Sequence, residues 1–377
     1  MSKNRKEVTL LKNDDFLSAN KFTGGENKDL SAWLNKANKK ELADLLGYYC
    51  REATGEEKAE LAQLARELGA KHYGSKIFFR GLIEFSSYCR NDCFYCGLRR
   101  SNSKAKRYRL TPAEILECCQ KGYEMGFRTF VLQSGEDAYY TDDRLCGLIS
   151  KIKELFPDCA VTLSIGERSY DSYKSLFEAG ADRYLLRHET ANEYHYSQLH
   201  PPELSLKNRL KCLYNLKEIG FQVGAGFMVD SPDQTFETLA EDFIFLRELQ
   251  PHMIGIGPFI PHHETRFANY YQPTSSRTLV LLSLLRIMLP KTLLPATTAL
   301  GTVDPLGRQK GLQAGANVLM LNLTPLKHRS DYSLYDNKLC TGWGAAENLT
   351  ELAQHLKSLG FTPDFSRGDY IDFQEGE

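Results

Sequence analysis

Residues 76–96 read KIFFRGLIEFSSYCRNDCFYC, and this stretch decides how the rest of the chain is interpreted. Its first half contains Phe78–Phe85, a short apolar run that predicts a buried strand. Its second half carries Cys89, Cys93 and Cys96 in a CxxxCxxC arrangement with an aromatic residue before the last cysteine. Because the cysteines directly follow the strand, they are predicted to lie together on one loop at its carboxyl end.

Beyond this stretch, short apolar runs alternate with longer amphipathic segments about eight times. Strands that alternate with helices predict βαβ units and a parallel sheet. Eight such units over about 250 residues match the size of a (βα)8 TIM-type barrel, which we expect over residues 76–324. A doubly wound open sheet is the alternative. The predicted strands are Phe78–Phe85, Thr129–Gln133, Ala160–Ser164, Arg183–Arg187, Gln222–Phe227, His252–Gly257, Leu293–Thr297 and Asn317–Leu321.

The two ends of the chain lack this alternation. Residues 1–75 show helical apolar spacing and are predicted to form an N-terminal helical cap. After Thr324 a loop-rich stretch leads into a last helix near Asn348–Leu359. We expect residues 325–377 to be a C-terminal extension that closes the barrel.

Composition and charge narrow the classes of function. The chain has 377 residues, of which 42% are hydrophobic and 25% charged, enough to bury a sizeable core. Its formal net charge of -1 gives no global field that favours nucleic acid or an anionic membrane, and neither is expected as a partner. The first residues lack the apolar region of a signal peptide, and no window approaches the about 20 apolar residues of a spanning helix. We therefore expect a cytoplasmic protein whose 10 cysteines are buried, catalytic or metal-binding rather than disulfide-bonded.

Three thiolates within eight residues suit an iron–sulfur cluster. They can hold three irons of a [4Fe–4S] cube and leave the fourth iron open to chelate the amino and carboxylate groups of S-adenosylmethionine (SAM). A structural zinc site is the alternative. Zinc normally takes four ligands from CxxC-type pairs. No second pair follows at finger or ribbon spacing, and Cys340 stands far away in the sequence.

Polar residues occupy the ends of several predicted strands. Thr162 and Ser164 share one side of the third strand, and Arg187 and Glu189 share one side after the fourth. Since a packed barrel interior prefers Val, Ile and Leu, these positions predict a ligand-filled cavity. The hydroxyls could instead cap the following helices, and Arg187 could form a structural ion pair with Glu189. Inside the first strand, Glu84 is expected to be a barrel-floor charge paired with Arg80.

The cysteine motif and its surroundings resemble the radical SAM superfamily and, within it, the HydE family of [FeFe]-hydrogenase maturases. The resemblance covers roughly residues 75–340 and separates the chain from biotin synthase, but less sharply from 3-methylornithine synthase. The segments that carry it are Ile83–Ser86, Cys96–Arg100, Val131–Asp137, Arg183–Asn192, Gly255–His262 and Pro295–Ala299.

The resemblance implies roles for individual residues. The cluster ligands would be Cys89, Cys93 and Cys96. Residues that would bind SAM are Tyr95, Gly135, Glu136, Ser164, Glu189 and Arg209. Residues that would line the cavity and bind substrate are Gln133, Thr162, Arg187, Thr297, Thr298, Met320, Tyr332 and Tyr335. A guanidinium fork with two threonine hydroxyls suits a carboxylate.

The implied activity is reductive cleavage of SAM to methionine and a 5′-deoxyadenosyl radical. The radical would act on a cysteine-bound iron carbonyl–cyanide unit made by the maturase HydG, and the product would pass towards HydF. A reductase or ferredoxin would supply the electron. Some family members carry a second cluster on a C-terminal CxxxxxxxCxxC; because Cys340 stands alone, we predict that this cluster is absent. An amino-acid mutase of the 3-methylornithine synthase type and a non-catalytic iron–sulfur carrier are the alternatives.

Overall fold

The computed structural model describes residues 28–339 and 346–373. The strands are β1 Lys76–Ser86, β2 Thr129–Ser134, β3 Ala160–Ser164, β4 Arg183–Leu185, β5 Gln222–Ala225, β6 Met228–Val229, β7 Met253–Ile254, β8 Gly257–Pro258, β9 Val318–Asn322 and β10 Thr362–Asp364. The helices are α1 Lys28–Leu34, α2 Lys39–Arg51, α3 Gly55–Tyr73, α4 Pro112–Glu124, α5 Asp142–Leu155, α6 Tyr170–Glu178, α7 Glu193–Leu199, α8 Leu206–Ile219, α9 Phe236–Leu249, α10 Ser276–Met288, α11 Thr298–Val303, α12 Gly307–Gln313, α13 Leu326–Arg329 and α14 Leu349–Ser358, with a 3-10 turn at Ala346–Asn348.

Parallel strands close into a ring. Strands β1, β2, β3, β4, β5 and β7 pair in that order, and β9 pairs with the other side of β1. The gap between β7 and β9 is filled by residues 293–295, through the parallel bridges Met253–Leu293 and Pro295–Val318. The ring confirms the predicted (βα)8 barrel, and the open-sheet alternative is wrong.

All eight predicted strand positions contribute to this ring, but four are shorter than predicted, and β4 and β5 each end two residues before the predicted end. The stretch Leu293–Thr297 contributes only isolated bridges, and His252–Gly257 is split into β7 and β8. At the level of the split the backbones of Gly226 and Gly255 approach closely, since Gly226 has a φ of +149° and a Cβ there would lie 2.0 Å from the Gly255 carbonyl oxygen. Beyond this point β6 and β8 pair with each other outside the ring.

Helices α1 to α3 pack on the outside of the barrel. Helix α2 lies against α9, and α3 lies against α10. Leu34, Leu42 and Leu46 are fully buried in this contact region, and the Arg247 guanidinium donates to the carbonyl oxygens of Leu34 at 3.0 Å and Ala37 at 2.9 Å. The N-terminal region is helical from Lys28 onward, as predicted, while residues 1–27 lie outside the described residues. The domain boundaries at 75 and 324 stay predictions.

The C-terminal stretch touches both ends of the barrel. Residues 362–373, which we call the floor segment, begin with β10, which pairs with the start of β1 at the amino end of the barrel. Within the floor segment, Asp369 forms an ion pair with the buried Arg183 and accepts a hydrogen bond from Gln222 at 2.6 Å. Residues 330–339, which we call the strap, lie at the opposite end, where Tyr332 and Tyr335 line the central cavity.

In the described part of the chain, no helix is both long and apolar enough to span a bilayer.

Candidate functional site

The three cysteines lie on the loop that follows β1. All three are free thiols and half-buried, and the Cys96 sulfur accepts a hydrogen bond from the Leu98 N–H at 3.4 Å. Burial raises the pKa of the Cys89 and Cys93 thiols and raises the pKa of Cys96 to about 12. Bare thiolates are therefore disfavoured here, which suits cysteines that are ionised by a bound metal rather than reactive nucleophiles.

Backbone contacts fix the shape of this loop. The Arg90 N–H donates to the Glu136 carbonyl oxygen at 2.9 Å, and the Phe94 N–H donates to the Leu199 carbonyl oxygen at 2.9 Å. The loop after β2 packs so closely that a Cβ on Gly135 would lie 2.3 Å from the Tyr88 carbonyl oxygen. The cysteines are thus held by neighbouring barrel loops before any ligand contributes.

The spacing of the cysteine sulfurs bears on the zinc alternative. In the part of the chain that the structure describes, the only three His, Cys, Asp or Glu ligand atoms that all lie within 4.8 Å of one another belong to His262, His263 and Asp336. At least one pair of cysteine sulfurs is therefore farther apart than 4.8 Å. Zn–S bonds of about 2.3 Å in a tetrahedral site would hold the sulfurs about 3.8 Å apart. The loop therefore does not present its three sulfurs at the spacing of a tetrahedral zinc site.

A cavity of about 370 Å³ opens beside the cysteine loop, inside the carboxyl end of the barrel. It brings together Cys89, Cys96 and every other residue assigned by the resemblance except Cys93 and Thr162. These lining residues are Tyr95, Gln133, Gly135, Glu136, Ser164, Arg187, Glu189, Arg209, Thr297, Thr298, Met320, Tyr332 and Tyr335.

Thr162 lies one layer lower than the cavity. It shares a small separate space near the floor segment with Arg80 and Arg183. Inward side chains of barrel strands stack in layers, so Thr162 lies a layer below Ser164 on the same strand. The alternation of side chains along β3 predicts that Thr162 and Ser164 point to the same side, but it does not predict how far each lies from the carboxyl end of the barrel.

Some buried donors in the cavity have no hydrogen-bond partner among the described residues. Arg187 Nη2 and Glu189 Oε2 lie 2.9 Å apart and form the ion pair that the sequence offered as an alternative, although the two atoms are not in hydrogen-bonding geometry. Arg187 Nε and the Thr297 hydroxyl are also buried with no hydrogen-bond partner among the described residues. Thr297 stands at the N-cap of α11 without a side-chain capping bond, so the capping alternative does not account for it. Buried polar groups are normally satisfied, and these donors therefore point to a ligand.

Several polar residues of the site carry no local sequence signal. Arg209 is held by Glu167, which accepts from its Nε, and by the Arg187 carbonyl oxygen, which accepts from Nη1 at 2.6 Å. Glu167 lies in a loop without any motif, and nothing in the sequence predicts that it belongs to the site. Only its contact with Arg209, 42 residues away, reveals its function in the site.

The buried carboxylate of Glu84 also has an unexpected partner. Its ion pair is with Lys338 of the strap, and its other oxygen accepts from Asn322 Nδ2 at 2.9 Å. The predicted pairing with Arg80 is wrong, because Arg80 donates to Met253 Sδ and to the Gly368 carbonyl oxygen instead. Lys338 lines the cavity and donates to the Tyr332 carbonyl oxygen at 3.1 Å. Neighbouring Cys340 lies outside the described residues.

The barrel, the cysteine loop and the cavity define the class of radical SAM enzymes. The model of the Radical SAM superfamily matches residues 83–246. The chain is 49% identical over 280 residues to the [FeFe] hydrogenase maturase subunit HydE of Thermotoga maritima, which covers 74% of this chain and 80% of that protein. It is 30% identical over 308 residues to 3-methylornithine synthase of Methanosarcina barkeri, and the match covers 80% of this chain and 85% of that protein.

A solved structure supports the fold. The crystal structure of HydG, a maturase of the [FeFe]-hydrogenase, superposes with a TM-score of 0.76 at 21% identity, over 96% of this chain and 81% of that one. On the identity and coverage of its relatives, the chain belongs to the HydE family of radical SAM maturases.

Proposed function

We propose that this enzyme binds one [4Fe–4S] cluster through Cys89, Cys93 and Cys96 and cleaves SAM at the mouth of the barrel. The observation that carries the proposal is the position of the cysteines beside a cavity in which Arg187 Nε and the Thr297 hydroxyl are buried without a hydrogen-bond partner among the described residues. When bound, the reduced cluster supplies the electron that splits SAM into methionine and a 5′-deoxyadenosyl radical. The two remaining tasks, orienting SAM and confining the radical, fall to the protein.

The upper part of the cavity would bind SAM. Glu189 and Ser164 offer acceptors, and Arg209 offers a fixed positive charge because Glu167 and a backbone carbonyl hold its guanidinium. Tyr95, Gly135 and Glu136 complete this part of the wall. Glu189 adopts a φ of +66°, a left-handed conformation that non-glycine residues rarely adopt and that often marks a functional position.

The deeper part of the cavity would bind the substrate. Arg187, Thr297 and Thr298 supply donors suited to a carboxylate, and the same guanidinium also touches the proposed SAM ligand Glu189. Gln133, Met320, Tyr332 and Tyr335 enclose this region. Thr162, one layer lower, would contribute only through a ligand that reaches the floor segment.

The family membership supports a specific substrate. We infer that the enzyme acts on the cysteine-bound iron carbonyl–cyanide unit produced by HydG and passes its product towards HydF during assembly of the hydrogenase diiron site. A low-potential reductase or ferredoxin would supply the electron. The proposal includes a single cluster, since no cysteine other than Cys340 follows the barrel in the sequence.

One experiment tests this assignment against its alternatives. Anaerobically reconstituted protein is reduced with dithionite and given SAM, first alone, then with the HydG product, and then with lysine. Release of 5′-deoxyadenosine that rises only with the HydG product is expected. An isomerised lysine would support a 3-methylornithine synthase instead, and no 5′-deoxyadenosine above background would support a non-catalytic carrier.

A matched pair of cysteine variants sharpens this test. Cys93→Ala removes a proposed ligand, whereas Cys118→Ala removes a buried cysteine on α4, away from the loop. We expect SAM cleavage to be lost in the first variant and kept in the second. An intact, active cluster in Cys93→Ala would refute the ligand assignment.

A further inference from the structure

A short cationic segment follows the cysteine loop. Residues 99–107 read RRSNSKAKR, with five cations and no anion, in a chain whose formal net charge is -1. The segment begins three residues after Cys96, and the Arg100 N–H donates to the carbonyl oxygen of Asn91, which lies between Cys89 and Cys93. The positive charge is therefore concentrated beside the cysteines.

Two of these cations, Arg99 and Arg107, stabilise the loop through hydrogen bonds to backbone carbonyl oxygens and contribute less to its exposed surface. The Arg107 guanidinium donates to the carbonyl oxygens of Leu98 at 2.9 Å and Arg99 at 2.8 Å. The Arg99 guanidinium donates to the Glu264 carbonyl oxygen at 2.9 Å. These contacts fold the segment against the cysteine loop, and they leave Arg100, Lys104 and Lys106 exposed on the outside.

Three ion pairs around the loop are asymmetric, whereas Arg99 and Asp92 are both 25% exposed. In the pairs Arg90–Glu136 and Lys104–Glu264 the cation side chains are 63% and 73% exposed, but the carboxylates only 8% and 24%. Lys106 is 84% exposed, and Asp331, 4.0 Å away, is 17% exposed. Each carboxylate lies beneath its cation, so the surface that solvent meets is positive although the pairs are neutral overall.

We propose that Arg90, Arg100, Lys104 and Lys106, the basic surface, form the docking site for a small acidic protein that carries one electron at low potential. This inference rests on the proposed cluster. One electron passes from the carrier's reduced centre, which is oxidised, to the cluster, which is reduced, and no bond forms or breaks. Under the proposed function SAM would occupy the cavity side of the cysteines, where strap residues also form part of the wall, so a protein donor would approach from the outer side of the loop. Opposite charges on the two surfaces would steer the encounter.

Stopped-flow reduction of the reconstituted, SAM-loaded enzyme by a reduced acidic two-cluster bacterial ferredoxin tests the docking site. The test variant is Arg100→Glu/Lys104→Glu/Lys106→Glu. Its control is Lys151→Glu/Lys174→Glu, which reverses exposed, ion-paired lysines on α5 and α6. We expect the bimolecular rate at low ionic strength to fall by a factor of ten or more in the test variant, since steering contributes about 10- to 1000-fold. The control should keep the wild-type rate, and at about 0.5 M salt all three rates should converge.

Dithionite separates docking from chemistry. Dithionite-driven 5′-deoxyadenosine formation should be equal in the test variant and the wild type, because a small reductant needs no docking surface. Absence of that activity in the wild type would overturn the proposed function. Its loss in the test variant alone would mean that the triple substitution damages the enzyme. The single variants Arg100→Glu and Lys106→Glu would then be measured with ferredoxin instead. Equal rates of reduction by ferredoxin in all variants would overturn the docking site. Binding of transfer RNA to the basic surface at concentrations at which ferredoxin does not bind would overturn it as well.

Discussion

The substitution Lys338→Met removes the charge that ties the strap to the inside of the barrel. Methionine keeps the length of the side chain but cannot pair with Glu84 or donate to the Tyr332 carbonyl oxygen. The Lys338 and Glu84 side chains are only 7% and 1% exposed, so the pair is shielded from bulk solvent. The Glu84 carboxylate would keep Asn322 as its side-chain donor.

The contacts of the strap set the expected size of the effect. Removing one partner of a buried ion pair costs about 3–5 kcal/mol. Further hydrogen bonds also tie the strap, each worth about 1 kcal/mol. They include those that join Leu334 to Gly97, Asp336 to Pro261 and Leu339 to the Thr302 hydroxyl, and one from the His263 N–H to the Asp336 carboxylate at 2.9 Å. The ion pair is worth several such hydrogen bonds, so its loss should loosen the strap locally rather than unfold the barrel.

Hydrogen exchange followed by mass spectrometry measures this opening. A local loss of about 3–5 kcal/mol predicts that amides of residues 334–339 exchange about 150- to 4000-fold faster in Lys338→Met. The control Lys327→Met removes an exposed ion pair with Glu114 and should change exchange little. The double variant Glu84→Gln/Lys338→Met should recover part of the protection, because it leaves no buried charge unpaired. Unchanged protection of the strap in Lys338→Met would refute the reasoning.

Three other predictions follow from single positions. Gly135→Ala should lower the iron bound on reconstitution, since the new Cβ would meet the Tyr88 carbonyl oxygen at 2.3 Å, whereas Gly147→Ala, with open space around it, should not; equal iron content in both would contradict the close approach. Cys340→Ala should leave iron content unchanged, and a loss of iron would contradict the proposal of a single cluster. Burial alone would raise the pKa of Asp369, but Arg183, Gln222 and Arg367 hold it well below its usual value. The stability that this carboxylate contributes is therefore present above its unfolded pKa of about 3.9 and is lost as the pH falls through its lower folded pKa. Asp369→Asn should flatten this part of the acid denaturation curve, and an unchanged curve would count against the floor contact.

The barrel could be predicted because its signal is local and repeated. Each of the eight strands shows an apolar run of its own, and the cysteine motif fixes which loop faces the functional end. The predicted extent failed where a strand pairs weakly with its neighbours, as in residues 293–295, whose bridges depend on tertiary contacts.

The side-chain partners of the site were harder to predict. Ser164, Arg187 and Thr297 were found because strand ends converge at one face of a barrel. Glu84 was assigned to the wrong partner because the positive charge that pairs with it belongs to Lys338, 254 residues away in the sequence. Thr162 was assigned to the right strand face but to the wrong layer, since alternation along a strand specifies direction and not depth.

The positions of the strap and the floor segment have a consequence for biosynthesis. Both follow β9, the last strand of the ring, in the sequence. During translation the whole ring leaves the ribosome before either segment that covers its ends. The residues that form the ring are therefore synthesised before the segments that lie at its two ends, and the ring can begin to assemble while both ends are still uncovered.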